Sequence, residues 1–148
     1  MNYCLQNPFI AMIKALRFTA IFLLLFNGIG ALYGGGLLIL DPTGDKLQLP
    51  LSYLQHAPFK DYLIPGIVLF LANGVLSCVV CILTFTHHRR YAHFIILQGV
   101  ILSGWILIQV LMVQTVYQLH YIMGAVGLAL MGAGSLLLLK DISKQQLQ

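Results

Sequence analysis

Apolar residues run along this chain in four long stretches, over 18–39, 63–86, 94–113 and 121–139, and none of the four contains Lys, Arg, Asp or Glu. A bilayer core about 30 Å thick needs roughly 20 apolar residues of helix, and each stretch reaches that length. Only helices and closed barrels satisfy their backbone hydrogen bonds in lipid. Continuous Leu, Ile and Val without two-residue alternation is the helical pattern, not the barrel one. The sequence therefore predicts an all-α integral membrane protein, a four-transmembrane-helix bundle forming a single membrane domain over 1–148, with a longer loop at 41–61.

Composition agrees. Of 148 residues 59% are hydrophobic and 8% charged, with a mean hydropathy of +0.90, whereas soluble domains carry about a quarter charged residues. The net charge of +4 does not point to nucleic acid, because the basic residues flank the apolar runs as membrane topology signals do. Lys14, Arg17, Arg89, Arg90, Lys140 and Lys144 fall on one side, against Lys46 and Lys60 on the other. Short-loop Lys and Arg stay in the cytoplasm, so both termini are expected to be cytoplasmic and 41–61 external. A cleaved signal peptide is disfavoured for the first stretch, whose apolar length exceeds the 7–15 residues of a signal core.

Local signals mark the boundaries. Asn7-Pro8 reads as an N-cap with proline at the first helical position. Asp61 is placed to cap the second span, with Pro65 in its first turn. Tyr53, Phe59, Tyr62, Tyr117 and Tyr121 are expected in an outer aromatic belt, and Phe85 and Tyr91 in an inner one.

In lipid, helices associate through small residues and interhelical hydrogen bonds. Candidate seams are Gly30/Gly34, Gly74/Cys78, Gly99/Ser103 and Ala125/Ala129/Ala133. Asn27 and Asn73 fall near the centres of antiparallel spans, and a buried amide needs a partner. A mutual Asn27–Asn73 hydrogen bond is the simplest expectation.

The loop carries Asp41-Pro42-x-Gly44, a turn signature, then Leu49-Pro50-Leu51 and Pro58-Phe59-x-Asp61. Ser52 is placed to cap a short helix there, and the loop is expected to pack across the bundle top. Together with Ile64-Pro65-Gly66 leading to Asn73-Gly74, these motifs resemble a family of small, uncharacterised bacterial four-span proteins, over roughly Gly35 to Trp105. In architecture the chain is distantly similar to the DoxX-like group. The resemblance implies bacterial inner-membrane residence and brings no catalytic residue with it.

Chemistry-bearing residues are sparse. Cys78 and Cys81 have the spacing of a redox pair, but they lie toward the cytoplasmic half of the second span and the outer loop has no cysteine; small packing residues is the better reading. His87, His88, Arg89 and Arg90 cluster at the inner face, where anionic lipid headgroups bind such groups. Asp41, Asp45, His56, Asp61 and His120 are all external candidates for a metal or proton site, although nothing in their spacing demands a metal. Ion-coupled carriers keep ionisable groups inside the membrane, and these spans have none. The sequence thus favours a structural or accessory membrane protein, with no cofactor and no catalytic residue, contacting lipids, a membrane protein partner or further copies of itself. An oligomeric small-solute carrier lined by Gln98, Ser103 and Gln109 comes second, and a membrane thiol/quinone oxidoreductase third.

Overall fold

A computed structural model describes residues 8–145; Cys4 and Asn7 lie outside the described residues. Four helices long and apolar enough to cross a membrane account for most of the described residues. They are α1 (Pro8–Leu40), α2 (Leu63–Phe85), α3 (Tyr91–Val113) and α4 (Gln118–Gln145). Two short 3-10 turns, Asp45–Leu47 and Leu51–Leu54, lie in the loop between α1 and α2. At 1.5 Å per residue α1 is about 50 Å long, more than a bilayer core requires. Its lipid-facing side chains include Phe22, 67% exposed, with Leu107 of α3 and Leu128 of α4 in similar positions on their helices.

The helices form a closed ring of neighbours: α1 packs on α2 and α4, and α3 packs on α2 and α4. At the end away from the loop the core is continuous, with Ala20 and Leu24 of α1, Val80 of α2, Ile95 of α3, and Leu130 and Leu137 of α4. A second cluster at the loop end joins Leu38, Leu54, Tyr62 and Met112.

Close approach is set only in part by the glycines expected. A Cβ on Gly35 would stand 2.7 Å from the backbone nitrogen of Phe70 and 2.9 Å from the carbonyl oxygen of Gly66, and one on Gly66 would stand 2.7 Å from Leu38 Cβ. Across the bundle, a Cβ on Gly99 would lie 2.7 Å from the carbonyl oxygen of Gly127, and one on Gly134 within 2.7 Å of Ile96. Gly74 and Gly99 thus hold their expected places in seams. Gly30 and Gly34 do not: nothing lies within 4 Å of a Cβ at Gly30, and Gly34 has only a Leu69 methyl at 3.8 Å. Ala125 and Ala129 are exposed, leaving Ala133 buried.

Helix α2 is not uniform. Leu63–Val68 and Leu76–Phe85 are α-helical, but Leu69–Val75 between them is a π-helix, closed by the bond from Leu76 N–H to Leu71 C=O. A π register widens the helix and presents carbonyls sideways, often at functional positions. Asn73 and Gly74 lie inside it.

The loop 41–61 folds back as a lid. Gly44 N–H bonds Asp41 C=O at 3.1 Å with Gly44 at φ 83, the turn that the Asp-Pro-Thr-Gly signature predicts. Asp41 accepts from Thr43 Oγ1 at 2.6 Å and from Lys46 N–H at 2.8 Å; these two bonds hold its carboxyl below the ordinary 3.8. Asp61 caps α2 through Leu63 N–H at 3.0 Å. Ser52 caps nothing, because the second 3-10 turn begins earlier, directly after Pro50. Leu47, Leu49, Ala57 and Phe59 pack the lid onto the loop-end core.

Candidate functional site

Between the lid and the continuous core, the four helices leave a cavity of about 570 Å³. Its walls are Asn27, Gly30 and Gly34 of α1, Leu69 of α2, Leu102, Trp105, Gln109 and Met112 of α3, and His120 and Met123 of α4, under Leu49, Tyr53 and Leu54 of the lid. The open sides at Gly30 and Gly34 are thus cavity wall, which is why no neighbour touches them. On α3 the residues 102, 105, 109 and 112 recur at three- and four-residue spacing, one helical face. Among the described lining residues none is Lys, Arg, Asp or Glu.

The exposed edge of the lining runs from Phe26 and Gly30 of α1 and Leu119 of α4 to Gln48 and Tyr117 beside the lid. From Leu38 down to Asn27 is roughly 17 Å along α1 at 1.5 Å per residue. The cavity accordingly reaches from the lid to about the middle of the apolar part of α1.

At its floor Asn27 and Asn73 meet, though not as a mutual amide pair. Asn27 Nδ2 donates to the backbone carbonyl of Asn73 at 3.2 Å and to Ser77 Oγ at 2.8 Å. Both amide protons of Asn27 are thereby used, and its Oδ1 is left as an acceptor. The physical reason is the π register, which turns the Asn73 carbonyl toward α1. The neighbouring carbonyl, Ala72, accepts from Gln98 Nε2 of α3 at 3.2 Å. The side-chain amide of Asn73 is fully buried and makes no hydrogen bond.

At the lid end, Tyr117 N–H donates to His120 Nδ1 at 3.0 Å. The proton of the neutral ring therefore resides on Nε2, which makes no hydrogen bond, while His120 is only 8% exposed. Trp105, also 8% exposed, lines the wall with no partner for its Nε1–H. Tyr62 is buried and donates its hydroxyl to the carbonyl of Pro50 at 2.9 Å; burial raises it above the ordinary 10.0. Tyr53 and Tyr117 share a hydroxyl–hydroxyl bond of 2.6 Å that ties the lid to the α3–α4 connection. Of the expected aromatic belt, Tyr53 belongs to the lid, Tyr62 and Tyr117 hold it from its end and from the α3–α4 connection, and Tyr121 faces outward.

The Tyr53–Tyr117 tie has a pH signature. The bond to Tyr53, and burial after it, raise Tyr117 above the ordinary 10.0. A group raised on folding stabilises the fold fully below its unfolded value and stops doing so as pH rises through the folded one. Acrylamide quenching of Trp105, the one tryptophan of the chain, is expected to stay flat to about pH 10 and then increase as the lid loosens. Tyr53→Phe should give the increased quenching already at neutral pH; equal quenching in variant and wild type would show that the tie does not hold the lid.

The other candidates lie apart from the cavity. His120 is inside it, while His56 is exposed, Asp61 is a cap, and Asp41 and Asp45 share Thr43 Oγ1 in the loop turn. Among the described residues no three His, Cys, Asp or Glu side chains converge as a metal would require. Cys78 and Cys81 are both free thiols; the Cys78 sulfur lies 3.2 Å from where a Gly28 Cβ would be, so it packs in the α1–α2 seam. At the opposite end, His88, Arg89 and Arg90 are exposed, and His87 is exposed but accepts from Arg17 Nη1, its Nδ1 at 2.7 Å. The chain matches no protein-family model, no curated protein and no solved structure.

The cavity itself is not legible in the sequence, where Gln109 reads as a carrier-lining residue and Trp105 on its own carries no signal. The available signal was the coincidence of two unpaired glycines one turn apart on α1 with Trp105 and Gln109 one turn apart on α3.

Proposed function

We propose that the chain is a four-span protein of the bacterial inner membrane, with cytoplasmic termini and an external lid, that captures a lipid-like molecule from the outer leaflet. It is an accessory protein whose contact with lipid is a built pocket, and no catalytic residue is assigned to it. The carrying observation is the apolar, charge-free cavity of about 570 Å³, whose exposed lining includes Phe26 and Gly30 of one span and Leu119 of another. That volume lies within the roughly 300–1,000 Å³ of small-molecule sites. Orientation rests on the Lys and Arg distribution, which favours the lid outside. The alternative of a pore made by several copies is less well supported, because Gln98 is fully buried and bonded within the protomer. Thiol/quinone redox chemistry finds little support, since neither Cys78 nor Cys81 lines the cavity.

Native mass spectrometry of protein released in mild detergent is expected to show one retained amphiphile per chain. Gly30→Leu should cut that retention about tenfold or more, because the new side chain fills the cavity from a position with no neighbour within 4 Å. Equal retention in wild type and variant would place the bound lipid elsewhere and refute the reading.

A further inference from the structure

Building on that reading, we infer that the cavity selects a neutral lipid whose head carries carbonyl oxygens, a glyceride ester or an alkylated quinone, over both charged lipids and plain hydrocarbons. The head is bound at the lid end by donors from α3 and α4, and the tail lies between α1 and α4.

Three features of the wall carry this. First, no charged residue lines it, so an ionic head drawn inside would lose its hydration with no countercharge to replace it. Second, two of its wall residues carry donors with no partner in the protein. His120 Nε2 carries the ring proton because Nδ1 accepts from Tyr117 N–H, and indole Nε1–H of Trp105 can only donate. Each belongs to a residue 8% exposed, and neither has a partner within the protein. Trp105 Nε1 is itself a buried atom that a head reaches only by shifting the indole, whereas His120 Nε2 is not so enclosed. A buried donor without an acceptor is costly, and a carbonyl oxygen relieves that cost. Third, Gln109 lies one turn beyond Trp105 on the same wall and makes no hydrogen bond within the protein, so its amide is available to the same head. The deeper wall is different: Asn27 has spent both protons on Asn73 and Ser77, and Gly30, Gly34 and Leu102 leave an apolar channel suited to a tail.

Trp105, the one tryptophan, reports occupancy directly. Chain-brominated diacylglycerol, chain-brominated phosphatidylglycerol and a dibromoalkane of matching length carry the same quencher on three heads. Titrated into the detergent-solubilised protein, the diacylglycerol is expected to quench at least tenfold more tightly than the other two. Gly30→Leu removes this component and leaves only quenching from the micelle. Gln109→Leu, which breaks no bond in the protein, and His120→Phe should each weaken the diacylglycerol about five- to tenfold, the worth of one hydrogen bond, with the dibromoalkane unchanged. An alkylated benzoquinone and diacylglycerol, each followed by native mass spectrometry, separate the two carbonyl sources, and the tighter binder identifies which is preferred. Should phosphatidylglycerol or the dibromoalkane quench as tightly as diacylglycerol, or should both donor variants leave affinity unchanged, the head selection is wrong although a lipid site stands. If no probe responds to Gly30→Leu, the cavity reading itself has failed.

Discussion

Gly35→Ala is expected to destabilise the bundle by about 3 kcal/mol, while Gly30→Ala, five residues earlier on the same helix, leaves stability unchanged or raises it by up to about 1 kcal/mol. The methyl at residue 35 would stand 2.7 Å from the backbone nitrogen of Phe70 and 2.9 Å from both its Cα and the Gly66 carbonyl. Backbone on both sides cannot swing away as a side-chain tip can, so α1 and α2 must separate. Without a hydrophobic drive between helices in lipid, that separation forfeits the packing that holds them. At Gly30 the methyl enters open space, and replacing glycine inside a helix removes its entropic penalty. Thermal or denaturant unfolding of both variants in one detergent tests this. Comparable losses at the two positions would mean that glycine content as such, not the seam, sets stability.

The same pair shows where sequence reading stops. The spans were legible because lipid tolerates so little else: charge-free runs of the right length match α2 and α3 to within a few residues, while α1 begins ten residues before its run and α4 continues six beyond. Spacing alone does not say which way a helical stripe faces. Gly30/Gly34 and Gly28/Gly35 both recur at helical intervals on α1, and the structure gives the first to the cavity and the second to α2. On α2 the ambiguity is worse, since the π-helix Leu69–Val75 shifts the phase of every later position. The matching depths of Asn27 and Asn73 were legible, but a backbone carbonyl turned toward α1 was not. Nor was the cavity, whose walls come from four helices and a lid. Loop chemistry fared better where it was local, as with Asp61 capping α2 and Gly44 in its turn. Tyr53 and Tyr117, 64 residues apart in the chain, meet only through the fold.

Asn27→Leu and Gln98→Leu should each cost about 1–2 kcal/mol, and the double variant should cost at least 0.5 kcal/mol less than their sum. The two amides come from opposite neighbours of α2 and bind consecutive carbonyls, Asn73 and Ala72, within the π register. A π turn is intrinsically unfavourable beside an α turn, so it persists because α1 and α3 supply donors that an α register would not need. Once one donor is gone, the segment can relax toward α geometry, and the second donor then has less to lose. Asn27→Leu strands Ser77 Oγ as well, and it should be the costlier single change. The relaxation also rotates Leu69 on the cavity wall relative to Gly34, so lipid retention should fall in the double variant more than in Gln98→Leu alone. A double-mutant cycle from unfolding in detergent gives the coupling, and strict additivity would show that the two amides brace α2 independently and that the π register holds without them.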